Sequence, residues 1–530
     1  MDSQLPQTAA PGSGSGPVKT PALELRGICK QFGRIAANKN VDLTAYKGEV
    51  LAILGENGSG KTTLMNMIAG IYYPDAGEIF IDGERAVITS PKDAYSYGIG
   101  MIHQHFKLVD VFSAAENIAL GLKDRGYDLK KAKKTALETA AKYGFSIDPD
   151  KKIYEMSVSE KQTVEIVKVL LRGAKILILD EPTAVLTPQE TGRLFAVLES
   201  MKKDGKTILI ITHKLHEVLA VSDRVAVLRK GEYAGTVNTC ETNEEELTEL
   251  MVGKKVELNI DRTDPVGCEE RLSVNGLCLN DEDGKPALKS VSFAARAGEI
   301  LGIAGIAGSG QRELLETIAG LRRPDEGTIV YHDPKSGKDV DLCDRTPTQI
   351  RDLGVRLSFV PEDRLGMGLV GSMDLTDNMM LRSYGKGRSA FLDRGSPKKL
   401  ALRVVKDLEV STPGVSTPVR RLSGGNVQKV LVGREISSAP TVLMAAYPVR
   451  GLDINSSYMI YNLLNDQKAH GTAVIFVGKD LDVLLDLCDR IMVMCAGGVA
   501  GIVDARSARK EELGLLMTGS VDAGQKGTVN

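Results

Sequence analysis

The sequence lacks the signals that place a chain in a membrane, on nucleic acid or around zinc. No uncharged apolar run reaches the roughly 18 residues needed to span a bilayer. The longest candidate, Ile491 to Val503, is short and glycine-broken and reads as a strand and a turn. The net charge is −2, so no basic field advertises nucleic acid. The seven cysteines, Cys29, Cys240, Cys268, Cys278, Cys343, Cys488 and Cys495, contain no C-x-x-C pair, which argues against zinc and dithiol redox motifs. An odd, scattered set fits reduced thiols in a cytoplasm, most of them small buried hydrophobes. The first twenty residues are polar, rich in Pro, Gly and Ser, and without an apolar core. Residues 1–20 therefore read as a disordered tail and not as a signal peptide, and residues 520–530 read the same way.

What is present is ordinary for soluble globular domains. The chain is 42% hydrophobic and 26% charged over 530 residues, enough for two or more domains. Its most informative stretch is Gly55-Glu56-Asn57-Gly58-Ser59-Gly60-Lys61-Thr62-Thr63, which matches the phosphate-binding loop G-x-x-x-x-G-K-[ST]. An apolar strand, Glu49 to Leu54, precedes it, and Leu64, Met65, Met67 and Ile68 follow at helical spacing. Glycines let backbone N–H groups curl around phosphate oxygens, and the new helix points its positive end at the same anion. Lys61 supplies a point charge to the β- and γ-phosphates, and the Thr62 hydroxyl is a magnesium ligand. Strand and helix patterns then alternate, as in α/β domains. From about Ser113 to Ser157 the pattern turns helical and polar, the mark of an inserted subdomain. Ile176 to Leu179 is a buried strand ending in Asp180-Glu181, and Ile208 to Ile211 is another, followed by Thr212-His213.

The chain then starts again. "GEVLAILGENGSGKTTL" from Gly48 is echoed by "GEILGIAGIAGSGQREL" from Gly298, and "SDRVAVLRKGE" from Ser222 by "CDRIMVMCAGG" from Cys488. Gly60 pairs with Gly310 and Pro182 with Pro448, so the offset grows from 250 to 266. The polar stretch His332 to Thr346 is the place for part of the inserted residues. This is a two-fold internal duplication. It divides the chain into domains over 21–253 and 269–519, with a short charged linker over 254–268.

With these motifs in order, the chain resembles the nucleotide-binding subunit of an ABC transporter over nearly its whole length. The first half carries the P-loop, Gln104 in "HQHF", "ILILDEPT" and His213; the second carries "RLSGGNVQKV" from Arg421, similar to the family's signature. "SFVPEDR" from Ser358, a second P-loop ending in Gln311, and "RGLDI" from Arg450 resemble the fused double-cassette importers of simple sugars and nucleosides. "GMIHQHFKLV" from Gly100 favours the nucleoside type. The resemblance implies an α/β fold of two tandem P-loop ATPase domains, each with a mixed sheet core, a small antiparallel β part and a helical subdomain. It implies ATP and Mg²⁺ as cofactors. It also implies two membrane permeases and an extracellular substrate-binding lipoprotein as partners, no nucleic acid, and a peripheral place on the cytoplasmic face of the membrane.

The resemblance also assigns roles. Thr62, Asp180 and Gln104 would hold the metal, and Glu181 would act as general base, one residue beyond the metal carboxylate. His213 would contact the γ-phosphate, and Phe32 would stack on adenine. Gln104 would report nucleotide state to the permease, with Glu362 in the second half's matching region. His103 and His105 flank Gln104; two alternating histidines without a third ligand fit packing or solvent exposure better than a metal pair. The signature must approach phosphate through backbone groups at a helix start, which needs small residues. Ser423, Gly424 and Gly425 meet that need; in the first half Ser159 stands where glycine is usual. The second half has the opposite defect, with Gln311, Arg312, Ala446, Tyr447 and Lys479 where the first has Lys61, Thr62, Asp180, Glu181 and His213. A missing base alone costs roughly 10²–10⁴ in rate, or about 3–5 kcal/mol of barrier. The expectation is one competent composite site, made of the first P-loop and the second signature, beside one degenerate site. The rival reading is a soluble double-cassette ATPase acting on ribosomes or DNA. Against it stand the short linker, the degenerate site, the absence of a basic field and the absence of zinc cysteines.

Overall fold

The computed structural model of the chain describes residues 20–33, 35–103, 106–120, 129–184, 186–212, 214–253, 260–265, 267–281, 283–306, 308–359, 365, 368–384 and 392–519. Contacts divide it into two compact units. One runs to Pro182 and adds Phe195–Met251; the other is Thr183–Leu194 with Val252 onward. Both terminal tails called from sequence lie outside the described residues, save Thr20 at the border of the first. Among the described residues no helix is long and apolar enough to cross a membrane.

Among the described residues the first unit has ten strands: β1 (Pro21–Phe32), β2 (Ile35–Tyr46), β3 (Val50–Leu54), β4 (Ala76–Ile81), β5 (Glu84–Ala86), β6 (Ile99–Ile102), β7 (Ile176–Asp180), β8 (Thr207–Ile211), β9 (Arg224–Arg229) and β10 (Glu232–Asn238). Strands β2-β1-β4-β5 form an antiparallel sheet, and β10-β9-β3-β8-β7-β6 a second sheet, parallel except for the β9–β10 hairpin. The unbroken apolar runs of β3, β7 and β8 follow from burial on both faces, since every residue in them is buried. A separate helical cluster packs Ala114, Ile118, Ala136, Ala140, Ile153, Met156, Val164 and Val167. Ala132, Ala136 and Ala140, four apart on the helix Leu129–Tyr143, present the buried face of that helix.

The second unit repeats the pattern with β11 (Glu270–Asn280), β12 (Pro286–Arg296), β13 (Ile300–Gly305), β14 (Glu326–His332), β15 (Asp339–Asp341), β16 (Val355–Phe359), β17 (Val442–Ala446), β18 (Ala473–Val477), β19 (Arg490–Cys495) and β20 (Gly498–Asp504). The sheet orders, β12-β11-β14-β15 and β16-β17-β18-β13-β19-β20, are those of the first unit strand for strand. Residues 333–338 join β14 to β15 where the first unit has only Asp82 and Gly83, so part of the extra length lies in the expected polar stretch. Within the linker called from sequence, the described segment is tied to the second unit. Ile260 packs on its core, Arg262 Nη1 donates to the Leu485 and Cys488 carbonyls at 2.9 and 2.6 Å, and Lys468 donates to the Thr263 carbonyl.

The cysteines depart from the expectation of burial. All seven are free, and only Cys488 is fully buried. Cys29 and Cys278 occupy matching irregularities of β1 and β11, where each sulfur accepts a hydrogen bond from a left-handed residue, Asn40 at 3.1 Å and Ser290 at 3.3 Å. Their sulfurs serve as acceptors on the sheet rather than as core filling.

Candidate functional site

The loop between β3 and the helix Lys61–Ile68 has a shape that only glycine allows. A Cβ at Gly55 would lie 2.3 Å from the Leu228 carbonyl oxygen, and one at Gly60 would lie 2.3 Å from that of Ala37. Gly60 also has a φ of 94°, in the left-handed region. The loop closes as Ser59 N donates to Glu56 O at 3.1 Å. Ser59 is buried and its hydroxyl has no hydrogen-bond partner. Asn57, Gly58 and Thr62 are exposed, Thr63 is half-buried, and Lys61 is buried with its Nζ donating to the Gly55 and Glu56 carbonyls at 2.6 and 2.9 Å. A glycine-shaped cradle, a helix start and an orphaned buried hydroxyl fit a phosphate chain.

Two carboxylates reach this cradle from β7, separated from β3 by β8 alone. Asp180 ends β7 in register with Ile211 of β8. Glu181 turns left-handed at φ 47°, and its N–H donates to the Ile211 carbonyl at 2.9 Å. Burial lowers the pKa of Lys61, while Glu181, Asp180 and Glu56 pull it back up. Burial and the adjoining Glu181 push Asp180 up to about 6, with Lys61 opposing. Lys61, Asp180 and Glu181 thus act on one another electrostatically. A divalent cation would relieve the surplus of negative charge, so the donor set fits Mg²⁺. Gln162, buried on the helix Val158–Leu171, donates to the Pro182 carbonyl at 3.0 Å and fixes the turn after the carboxylates.

Phe32 ends β1 half-exposed, its ring edge-on to Tyr72 at 5.2 Å and under Lys30 Nζ at 5.7 Å. Tyr72, forty positions away, is an aromatic neighbour that motif spacing does not reveal. Gln104, His105, His213 and Glu362 lie outside the described residues. His103 is half-buried, with burial lowering its pKa, and the described residues hold no cluster of three or more metal-ligating side chains.

The two signature stretches open homologous helices with different chemistry. In the second unit Ser423 caps the helix Gly424–Ile436 by accepting from Asn426 N at 3.4 Å. A Cβ at Gly425 would meet only Leu452 Cδ2, at 3.5 Å, so this glycine is not demanded by the fold. In the first unit Ser157 caps its helix through a reciprocal box: Glu160 N donates to Ser157 Oγ at 3.2 Å, and Ser157 N to Glu160 Oε2 at 2.7 Å. Lys151 pairs with the same carboxylate. The first helix start is therefore closed by its own negative charge. The S-x-x-E pattern carries that information in the sequence, beside the missing glycine at Ser159.

In the second unit the corresponding positions keep the backbone and change the side chains. Gly310 has φ 95° and Tyr447 φ 49°, and Tyr447 N donates to the Val477 carbonyl at 2.9 Å, as Glu181 does to Ile211. Gln428 donates to the Tyr447 and Pro448 carbonyls, as Gln162 does to Pro182. Arg312, at the place of Thr62, pairs with Glu316 at 2.6 Å. Lys479 Nζ stands 5.7 Å from the Tyr447 ring centroid, within cation–π range.

A family profile described as ABC transporter matches residues 38–184 and 288–448, more than half of the chain. The chain belongs to the ABC transporter family. Both halves are ABC ATP-binding cassettes, and ABC cassettes of this kind are ATPases coupled to transport. The chain is 41% identical to the nucleoside import ATP-binding protein NupA of Lactococcus lactis subsp. cremoris, over 94% of this chain and 98% of that protein. It is also 41% identical to the guanosine import ATP-binding protein NupO of Bacillus subtilis, over 94% and 97%. A glucose import ATP-binding protein of Haloferax volcanii is 39% identical over 95% and 97%. Each of these matches covers nearly the whole chain, both halves included.

Proposed function

We propose that this chain is the ATP-hydrolysing subunit of a nucleoside importer, working at the cytoplasmic face of the membrane with two permeases and a substrate-binding lipoprotein. The reading is supported chiefly by 41% identity, over 94% of the chain, to two proteins named for nucleoside and guanosine import, above that to the glucose-named relative. In it, Lys61 and the loop N–H groups hold the phosphates of ATP, and Phe32 stacks on adenine. Thr62, Asp180 and Gln104 hold Mg²⁺, which when bound neutralises charge on the phosphate oxygens. Glu181 takes the proton of the attacking water, and His213 contacts the γ-phosphate. Ser423, Gly424 and Gly425 complete this site when ATP draws the cassettes together. The split of losses between the halves supports that pairing, since each defective P-loop position falls in one half and the defective signature in the other.

The test is turnover by the complex assembled with its permeases. Lys61→Ala should abolish ATP hydrolysis and uptake together. Glu181→Gln should cut turnover by about 10²–10⁴ while ATP remains bound. Labelled guanosine or adenosine should be taken up in preference to ribose. Unaltered turnover in Glu181→Gln would remove the assigned base, and sedimentation with ribosomes in place of permeases would sink the reading.

A further inference from the structure

The chain that follows β6 is held at one residue by the helix Val158–Leu171. Lys107 N donates to Glu165 Oε1 at 3.0 Å. Lys168 Nζ donates to that same oxygen at 2.7 Å and to the Lys107 carbonyl at 3.1 Å. An ion pair on the helix thus takes both main-chain polar groups of one residue. Two residues on, Val109 N donates to Asn117 Oδ1 at 2.8 Å, and Asn117 Nδ2 donates to the Val109 carbonyl at 3.1 Å. At the other end β6 closes at Ile102, in register with Leu179 of β7. Burial lowers the pKa of His103, Glu165 opposes that, and Lys107 and Lys168 add to it, so the same ion pair acts on His103.

The second unit repeats part of this clamp and omits the rest. Asn378 holds Val370 N and its carbonyl at 2.8 and 3.1 Å, which puts Gly368 at the place of Lys107. Gln428 matches Gln162, which puts Arg434 at the place of Lys168 and Leu431 at that of Glu165. Arg434 Nη2 donates to the Gly368 carbonyl at 2.9 Å and is balanced by Glu435 at 2.8 Å. The cation–carbonyl contact is therefore common to both units. The carboxylate on the main-chain N–H is not, since Leu431 packs in an apolar core. Glu165 and Leu431 are each 2% exposed, so a leucine fills the same position in the other copy of the fold. Buried ion pairs add little net stability, and apolar replacements of similar volume are often neutral or better. Packing thus gives no reason for a carboxylate here, and the unit that carries it is the one that keeps Lys61, Asp180 and Glu181.

We propose that Glu165 is a positioning residue of the first site, which with Lys168 fixes the main chain at Lys107 so that Gln104, three residues earlier, meets Mg²⁺ at a set reach. Three residues of chain span at most about 11 Å, so a fixed Lys107 and a fixed β6 bound that reach from both sides. The inference rests on the metal role proposed for Gln104.

The chain has no tryptophan, so Phe32→Trp gives an emission that reports nucleotide at the first site. The experiment titrates ATP into the full-length chain carrying Phe32→Trp and Glu181→Gln, in Mg²⁺ and in EDTA. ATP should bind more tightly in Mg²⁺. Glu165→Leu should shrink that advantage about tenfold, while affinity in EDTA stays within about threefold. Glu165→Gln keeps an oxygen acceptor at the same reach and should keep most of the advantage. Arg434→Met breaks the matching carbonyl contact of the second unit, leaves Glu435 to Arg382, and should leave the advantage unchanged. If Glu165→Leu does not fold, Glu165→Asp decides: it keeps a charge beside Lys168, draws the oxygen away from Lys107 N, and should shrink the advantage in the same way. Affinities that fall alike in Mg²⁺ and EDTA would make Glu165 structural and overturn the proposal, as would an equal loss from Arg434→Met. Gln104→Ala separates this inference from the proposed function. If it leaves the advantage intact, the metal role of Gln104 falls and this inference with it. If it removes the advantage and Glu165→Leu does not, this inference alone falls.

Discussion

At Asp180, burial and the adjoining Glu181 both oppose ionisation, and the pKa stands at about 6 against an ordinary 3.8. For a carboxyl raised in the native state, the contribution to stability is full below the unfolded value and is lost as pH rises through about 6. Above that pH, ionised Asp180 is a standing cost, on the order of 1–2 kcal/mol after solvent screening. Asp180→Asn should therefore raise the melting temperature of the nucleotide-free chain in EDTA at pH 8, with the gain shrinking toward pH 5. A gain of equal size at both values would mean that packing, not charge, sets it. On the proposed assignment of Asp180 to Mg²⁺, a bound cation would offset that cost, so the residue would weaken the empty fold and favour the loaded one.

On the signature helix of the second unit, Gly433 and Gly425 stand in opposite surroundings. At Gly433 a Cβ would lie 2.6 Å from Val404 Cγ1 and 2.8 Å from Leu408 Cδ1. Replacing it by alanine gains roughly 0.5–1 kcal/mol of helix propensity but overpacks by about 1–3 kcal/mol, so Gly433→Ala should lower the melting temperature. Gly425 has room for a side chain, so Gly425→Ser should leave the melt unchanged or slightly raised. If its place is against ATP, hydrolysis by the complex should nonetheless fall more than about tenfold. A Gly425→Ser complex with normal turnover would exclude the signature's assigned role. This scale is also where sequence reading was strongest and where it stopped. The strand–loop–helix at Lys61, the carboxylates closing β7 and the duplication were legible because each is local and periodic. The Ser157–Glu160 box is equally local, but its carboxylate closes the helix through a cap that the missing glycine at Ser159 does not reveal. Tyr72 against Phe32 and Lys479 over Tyr447 are contacts between distant positions, set by sheet order, and no spacing rule reaches them.

Across the whole molecule, each unit has its own sheet core: Leu23, Leu51 and Ile178 belong to one cluster, and Leu272, Leu301 and Met444 to another. The described linker residues belong energetically to the second. Lys468, fully buried, donates to Asp489 at 2.7 Å and to the Thr263 carbonyl. Lys468→Met would leave Asp489 buried without its cation, a loss of about 3–5 kcal/mol. Calorimetry should show the transition of the second unit moved down and that of the first unmoved; a uniform shift of both would mean that they unfold as one. The left-handed residues Glu181 and Tyr447 carry a different consequence. Such a conformation costs a residue other than glycine roughly 1–2 kcal/mol, and the second unit still bears it at Tyr447, where no acid remains to be aimed. The two units thus share the main-chain bend and differ in the side chain it carries. Ala446→Asp, Tyr447→Glu, Gln311→Lys and Arg312→Thr would set the first unit's side chains on a main chain already bent to receive them.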